Sequence, residues 1–163
     1  MIVDQGFTDV RVLGINTPFK GITITKTRGQ HGSDEMYSIP IIAEKFGDVM
    51  GFVFKAEGYK TVFFAGDTIF NDYVELALKK FKPDIIVVNA AEGVYEGLKG
   101  SSIMGRDDVK KIYEMCKDAK IIPVHFDSFC HGLCDSEKMK KFVEENKLQD
   151  RVIVPFDGEV LKF

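Results

Sequence analysis

Three histidines occur in the chain, His31, His125 and His131, and none lies within a helical apolar stripe. An imidazole ligates metals and carries protons near neutral pH. His31 sits in Thr27-Arg28-Gly29-Gln30-His31-Gly32-Ser33, where glycine on both sides frees the backbone and leaves room for a ligand. His125 ends the apolar run Ile121-Ile122-Pro123-Val124. A strand fixes the direction of its terminal side chain, which suits a metal ligand or a catalytic base. Asp67 follows Val62-Phe63-Phe64-Ala65-Gly66 and precedes Thr68. An ionised carboxylate at an apolar strand end is costly unless hydrogen-bonded or paired with a cation. The plainer alternative is an Asp that accepts backbone N–H bonds and caps the next turn. Each residue taken alone favours a plain role, and only their combination points to chemistry. His131 follows in Asp127-Ser128-Phe129-Cys130-His131-Gly132. It either touches substrate or delivers a proton, or is a hydrogen-bonded loop histidine. Asp127 either orients it or caps a turn.

These side chains need elements to carry them. Val10–Ile15 and Gly21–Thr27 read as β-branched strands, and Val49–Ala56 and Thr61–Ala65 as two more around the turn Glu57-Gly58-Tyr59-Lys60. Residues 28–47 read as a polar loop with a short apolar insert. Beyond Asp67 the period changes. Val74, Leu76, Ala77, Leu78 and Phe81 fit an amphipathic helix with Asp72 as its cap and Pro83 as its stop. Ile85-Ile86-Val87-Val88 is a β-branched run typical of a strand covered on both faces. A second helix, begun by Asp107 or Asp108, carries Val109, Ile112, Tyr113 and Cys116; a third, capped by Asp135 or Ser136, carries Met139, Phe142 and Val143. Lys120–Val124 is a strand, and Arg151–Val154 and Glu159–Phe163 are expected to close the chain as two strands around Asp157-Gly158. Antiparallel strands in one half and strand–helix alternation in the other predict a layered α/β domain. Asn89-Ala90-Ala91-Glu92-Gly93 should leave a strand at the same edge as Asp67 and His125, where it either lines the pocket or carries Glu92 as a solvated loop charge, the commoner role of such a residue.

The order of these segments resembles the later part of metallo-β-lactamase-fold hydrolases. His31-Gly32-Ser33 is similar to the third metal motif of that family, Ala65-Gly66-Asp67-Thr68 to its fourth, and Ile122-Pro123-Val124-His125-Phe126 to its fifth. The resemblance runs from about Gly6 to the end of the chain and leans toward the ascorbate-6-phosphate lactonase-like branch. It implies a partial four-layer αββα sandwich over residues 1–163. It also implies a divalent metal site of the zinc type, with manganese or iron as alternatives. His31 would ligate one ion, His125 a second and Asp67 both, with Asp67 and His131 as candidate catalytic residues. A water between the ions would lose a proton and attack an ester, lactone or phosphate-type bond of a small-molecule substrate. The family's His-x-His-x-Asp-His run is absent from the chain. The expectation is therefore an N-terminally truncated domain with an incomplete site. The alternative is an inactive fragment serving as an oligomerisation or binding module through exposed sheet edges. A phosphatase-like domain with Asp67 as nucleophile ranks behind both, for want of an acidic cluster to hold magnesium.

Composition excludes several other classes. A net charge of −3 and a sequence pI of about 5.7 offer nothing to a phosphate backbone, so no nucleic-acid partner is expected. The apolar runs are too short to span a membrane, and a cytoplasmic protein is expected. Cys116, Cys130 and Cys134 read as free thiols; the pair flanking His131 lacks the second pair that a structural zinc site needs.

Overall fold

The computed structural model describes residues 2–127 and 131–163, with Ile2 and Val3 described by backbone alone. One six-stranded sheet runs in chain order: β1 (Asn16–Phe19), β2 (Ile22–Arg28), β3 (Met50–Lys55), β4 (Val62–Phe64), β5 (Ile85–Asn89) and β6 (Lys120–Val124). β1 to β4 pair antiparallel. β4, β5 and β6 pair parallel, joined by the crossover helices α3 (Asp72–Phe81) and α4 (Arg106–Met115). Two short helices, α1 (Asp34–Tyr37) and α2 (Pro40–Phe46), precede β3, and α5 (Ser136–Glu145) follows β6. No described helix is long and apolar enough to cross a membrane.

Strand alternation sends Val53, Phe63, Ile86, Val88 and Ile121 to one face of the sheet, where Val74, Ala77 and Leu78 of α3, Val109 and Ile112 of α4, and Met139 and Val143 of α5 cover them. The helical residues recur every three or four positions, as a single core-facing stripe requires. Ile85, Val87 and Ile122 form a smaller cluster on the opposite face, so β5 is buried on both sides, as its unbroken apolar run predicts. Toward β2 and β3 that second face is less covered. Phe54 and Phe64 meet there edge to face at 5.8 Å, and Phe64 is 44% exposed. The chain thus supplies one helical layer and one sheet layer of the expected four.

Several local expectations need correction. Val10–Ile15 is not a strand: β1 begins at Asn16, and Val12 is 96% exposed. Alternating β-branched residues without a partner strand do not make a ladder. Residues 28–47 are not a plain loop but hold α1 and α2. The caps of α3 and α4 are Asn71 and Gly105 rather than Asp72 and Asp107 or Asp108. Asn71 Oδ1 accepts from the backbone N–H groups of Tyr73 and Val74. The two closing strands are absent: Val152 makes one isolated bridge to Ile121, and 159–163 pair with nothing in the sheet. Asp135 does cap α5, accepting from the Lys138 N–H at 2.8 Å.

Candidate functional site

Parallel pairing brings the carboxyl ends of β4, β5 and β6 to one edge of the sheet, where α/β domains place their ligands. β2 is antiparallel to β3, and β3 to β4, so β2 also ends at that edge. Asp67 leaves β4, Asn89 ends β5, His125 leaves β6, and His31 lies three residues beyond β2. Residues remote in sequence converge because four strands point the same way.

His125 Nε2 faces Asp67 Oδ1 at 3.7 Å, with both side chains about two-fifths exposed. Asn89 Nδ2 donates to that same Oδ1 at 2.6 Å. Gly66, at φ +73°, makes the turn that aims Asp67; a Cβ there would stand 2.9 Å from the Met50 carbonyl oxygen. His125 and Asp127 hold φ of +70° and +62°, and Glu92 holds +53°. Such angles cost non-glycine residues roughly 1–2 kcal/mol each, and strain of this kind clusters at functional sites.

His31 is held against Asp67 by a backbone staple. The Gln30 N–H donates to Thr68 Oγ1 at 2.8 Å, Thr68 Oγ1 donates to the Ile69 carbonyl, and the Ile69 N–H donates back to the Gln30 carbonyl. Thr68 is fully buried. The imidazole of His31 stacks on Phe46, the last residue of α2, with centroids 4.2 Å apart and planes 18° apart. Burial lowers its pKa, outweighing the attraction of Asp67, and the nearby His125 and His131 lower it further. His31 is therefore biased to the neutral form, the one that ligates metals.

His131 arrives on a loop zipped to the segment after β5. The Val94 N–H donates to its carbonyl at 2.8 Å, and Gly132 bridges Gly93. Its ring packs on Tyr95 with centroids 5.0 Å apart, and Tyr95 packs in turn on Phe46. The segment is anchored by Glu92, which is no solvated charge. Its carboxylate accepts from the backbone N–H, Nε and Nη2 of Arg106 at 3.0, 3.1 and 2.9 Å. Nothing local in the sequence signals a pairing across fourteen positions. Asp127 Oδ1 accepts from the N–H of Ser136, the first residue of α5, at 3.2 Å.

The donor types here fit a divalent cation in part. Donors at the usual zinc distances on a tetrahedral ion stand roughly 3.4 Å apart, close to the 3.7 Å between Asp67 and His125. Among the described residues, no group of three or more His, Cys, Asp or Glu is already arranged to hold a metal ion. His31 and His131 flank the facing pair without closing a shell around it. The Cys134 thiol plays no part. Cys134 is buried and its pKa is pushed up to about 11, first by burial and then by Glu92, so it stays protonated. Cys130 lies outside the described residues. A cavity of about 350 Å³ opens beside the pair, lined by His125, Asp127, Lys140 and Phe156 among others. A larger one, about 560 Å³ around Lys82, Pro83, Lys117 and Asp118, lies at the opposite strand edge and holds none of the candidate residues.

Comparison with known proteins agrees with this fold. No protein-family model matches the chain. It is 37% identical to the UPF0173 protein YddR of Bacillus subtilis over 98% of its own length and 60% of that protein. It superposes on a possible metal-dependent hydrolase of Veillonella parvula with a TM-score of 0.94 and 40% identity, covering 97% of this chain and 60% of the other. An isothiocyanate hydrolase from Delia radicum gut bacteria gives a TM-score of 0.94 and 37% identity, with coverage of 99% and 63%. At the level of fold alone, the metallo-β-lactamase fold protein YhfI of Bacillus subtilis gives 0.52 at 14% identity, over 80% of this chain and 44% of that one. The chain spans about 60% of the length of the first relatives it matches.

Proposed function

Starting from a relative of the UPF0173 proteins with a metallo-β-lactamase-type fold, we propose that this chain carries part of the active site of a metal-dependent hydrolase. The observation that carries the reading is Asp67 facing His125 across 3.7 Å at the carboxyl edge of the sheet. In this reading His31, Asp67 and His125 hold a divalent ion, zinc by donor type, with manganese or iron as alternatives. Water or groups beyond these three complete its shell. When bound, such an ion acts as a Lewis acid and makes water a nucleophile near neutral pH. Asp67 contributes the charge, and the two imidazoles contribute neutral nitrogen. His131 reaches the same cluster on its own loop and touches the substrate or moves a proton.

The substrate is a small molecule with an ester, lactone or phosphate-type bond. An isothiocyanate belongs in the first assay panel, since a relative of high structural similarity hydrolyses one and its central carbon is likewise an electrophile open to water. The test is metal analysis after equilibration with zinc and desalting. The chain should retain zinc, and Asp67→Ala and His125→Ala should release it. Failure of the unsubstituted chain to retain metal would sink the reading.

A second reading, a binding or oligomerisation module, is favoured by the phenyl rings on the thinly covered sheet face, above all Phe64. Its test is the mass of the chain in solution, where a strict monomer argues against it.

A further inference from the structure

The strand between the two facing donors ends on a residue that neither donor's motif includes. Asn89 is the last residue of β5, and β5 is the central member of the parallel trio. Its ladder partner is Val124, the residue before His125. Its other neighbour is β4, whose continuation carries Asp67. By alternation its side chain shares the face of Ile85 and Val87, and there Nδ2 donates to Asp67 Oδ1 at 2.6 Å.

A carboxylate can only accept, so the amide must present its NH2 group and not its carbonyl. That contact fixes the rotation of the Asp67 carboxylate. The oxygen so held is the one that faces His125 Nε2. Without the amide, a carboxylate two-fifths exposed would rotate about its own terminal torsion, which is broad and soft. We propose that Asn89 is a positioning residue: its amide holds the Asp67 carboxylate in the orientation that faces His125. The inference rests on the reading of Asp67 as a cation ligand for its purpose, but not for its geometry.

An aspartate at this position would set two carboxylates at hydrogen-bond distance, where both cannot stay ionised without a cation between them. A leucine would keep the bulk and remove the donor. Both substitutions keep the bulk and remove the donor, so a loss common to the two reports the hydrogen bond and not the packing.

Two measurements on the full chain test the proposal. The first uses metal-free, nitrogen-15-labelled protein and follows the side-chain NH2 protons of Asn89. One of them is expected well downfield, and Asp67→Ala should return it to the position of a solvated amide. An Asn89 signal indifferent to Asp67→Ala overturns the proposal. The second is zinc titration. Asn89→Leu should bind zinc roughly 10- to 100-fold more weakly, the effect typical of losing a group that orients a ligand. The metal-free melting temperature serves as the control for folding. A variant that melts lower yet binds zinc as tightly as the unsubstituted chain shows a purely structural residue and overturns the proposal. Should Asn89→Leu fail to fold, Asn89→Ser carries the same titration. Should no form of the chain bind zinc, the hydrolase reading fails, while the amide measurement still decides what Asn89 does.

Discussion

Replacing Glu92 by glutamine keeps its length and removes its charge, and the consequence can be worked from the contacts. The carboxylate receives three N–H bonds from Arg106. Its side chain is 19% exposed, against 37% for the arginine. Breaking a fully buried pair costs roughly 3–5 kcal/mol, whereas an exposed pair contributes about 0.2–1 kcal/mol. With one partner more than a third open to solvent, this pair lies between the limits, at about 2 kcal/mol. For a domain of this size that corresponds to a loss of roughly 4–8 °C in melting temperature. The pH dependence has a definite sign. Burial raises the Glu92 pKa, but the hydrogen bonds and charge of Arg106 overcome it and hold the group below its ordinary value. The stabilisation is therefore complete above the ordinary glutamate range and is lost as pH falls through the lowered folded value. Thermal melts by circular dichroism from neutral to acid pH should show the two proteins separated near pH 7 and converging in acid. Equal melting temperatures at neutral pH, or a gap that widens in acid, would refute the assignment of Glu92 as the ionic anchor of this loop.

Thr68→Val, nearly isosteric, should cost about 1–3 kcal/mol by leaving the Gln30 N–H unsatisfied; urea denaturation measures it, and zinc affinity should fall with it because His31 rides on that staple. Gly66→Ala places a Cβ against the Met50 carbonyl at a positive φ, so a loss of at least about 1–2 kcal/mol is expected by the same method. Cys134→Ala should leave zinc retention unchanged, since the thiol is buried and held protonated; loss of zinc in metal analysis would contradict that placement.

The parts of the molecule legible in the sequence are those with a long periodic signal. Ile85–Val88 is unbroken because β5 is covered on both faces, and α3, α4 and α5 each show a three-to-four spacing because each buries a single stripe. The four residues of α1 and seven of α2 are too short to display a period, so a glycine-containing polar stretch concealed them. Val10–Ile15 has strand-forming residues, but it meets the sheet only at its end, where the Ile15 carbonyl accepts from the Lys26 N–H, a fact that exists only in three dimensions. At the candidate site, the motif order of His31, Asp67 and His125 anticipates their shared edge because parallel strands impose it. Asn89 and Glu92 act through partners 22 and 14 positions away, and no local spacing encodes such contacts.

Crystals soaked in zinc and measured at the zinc absorption edge would test the central claim by position as well as presence. An anomalous peak is expected within about 2.3 Å of both His125 Nε2 and an Asp67 carboxylate oxygen, the ordinary reach of zinc donors, with the His31 ring turned toward it. A strong peak elsewhere on the molecule, with none at the edge shared by β4 and β6, would contradict it.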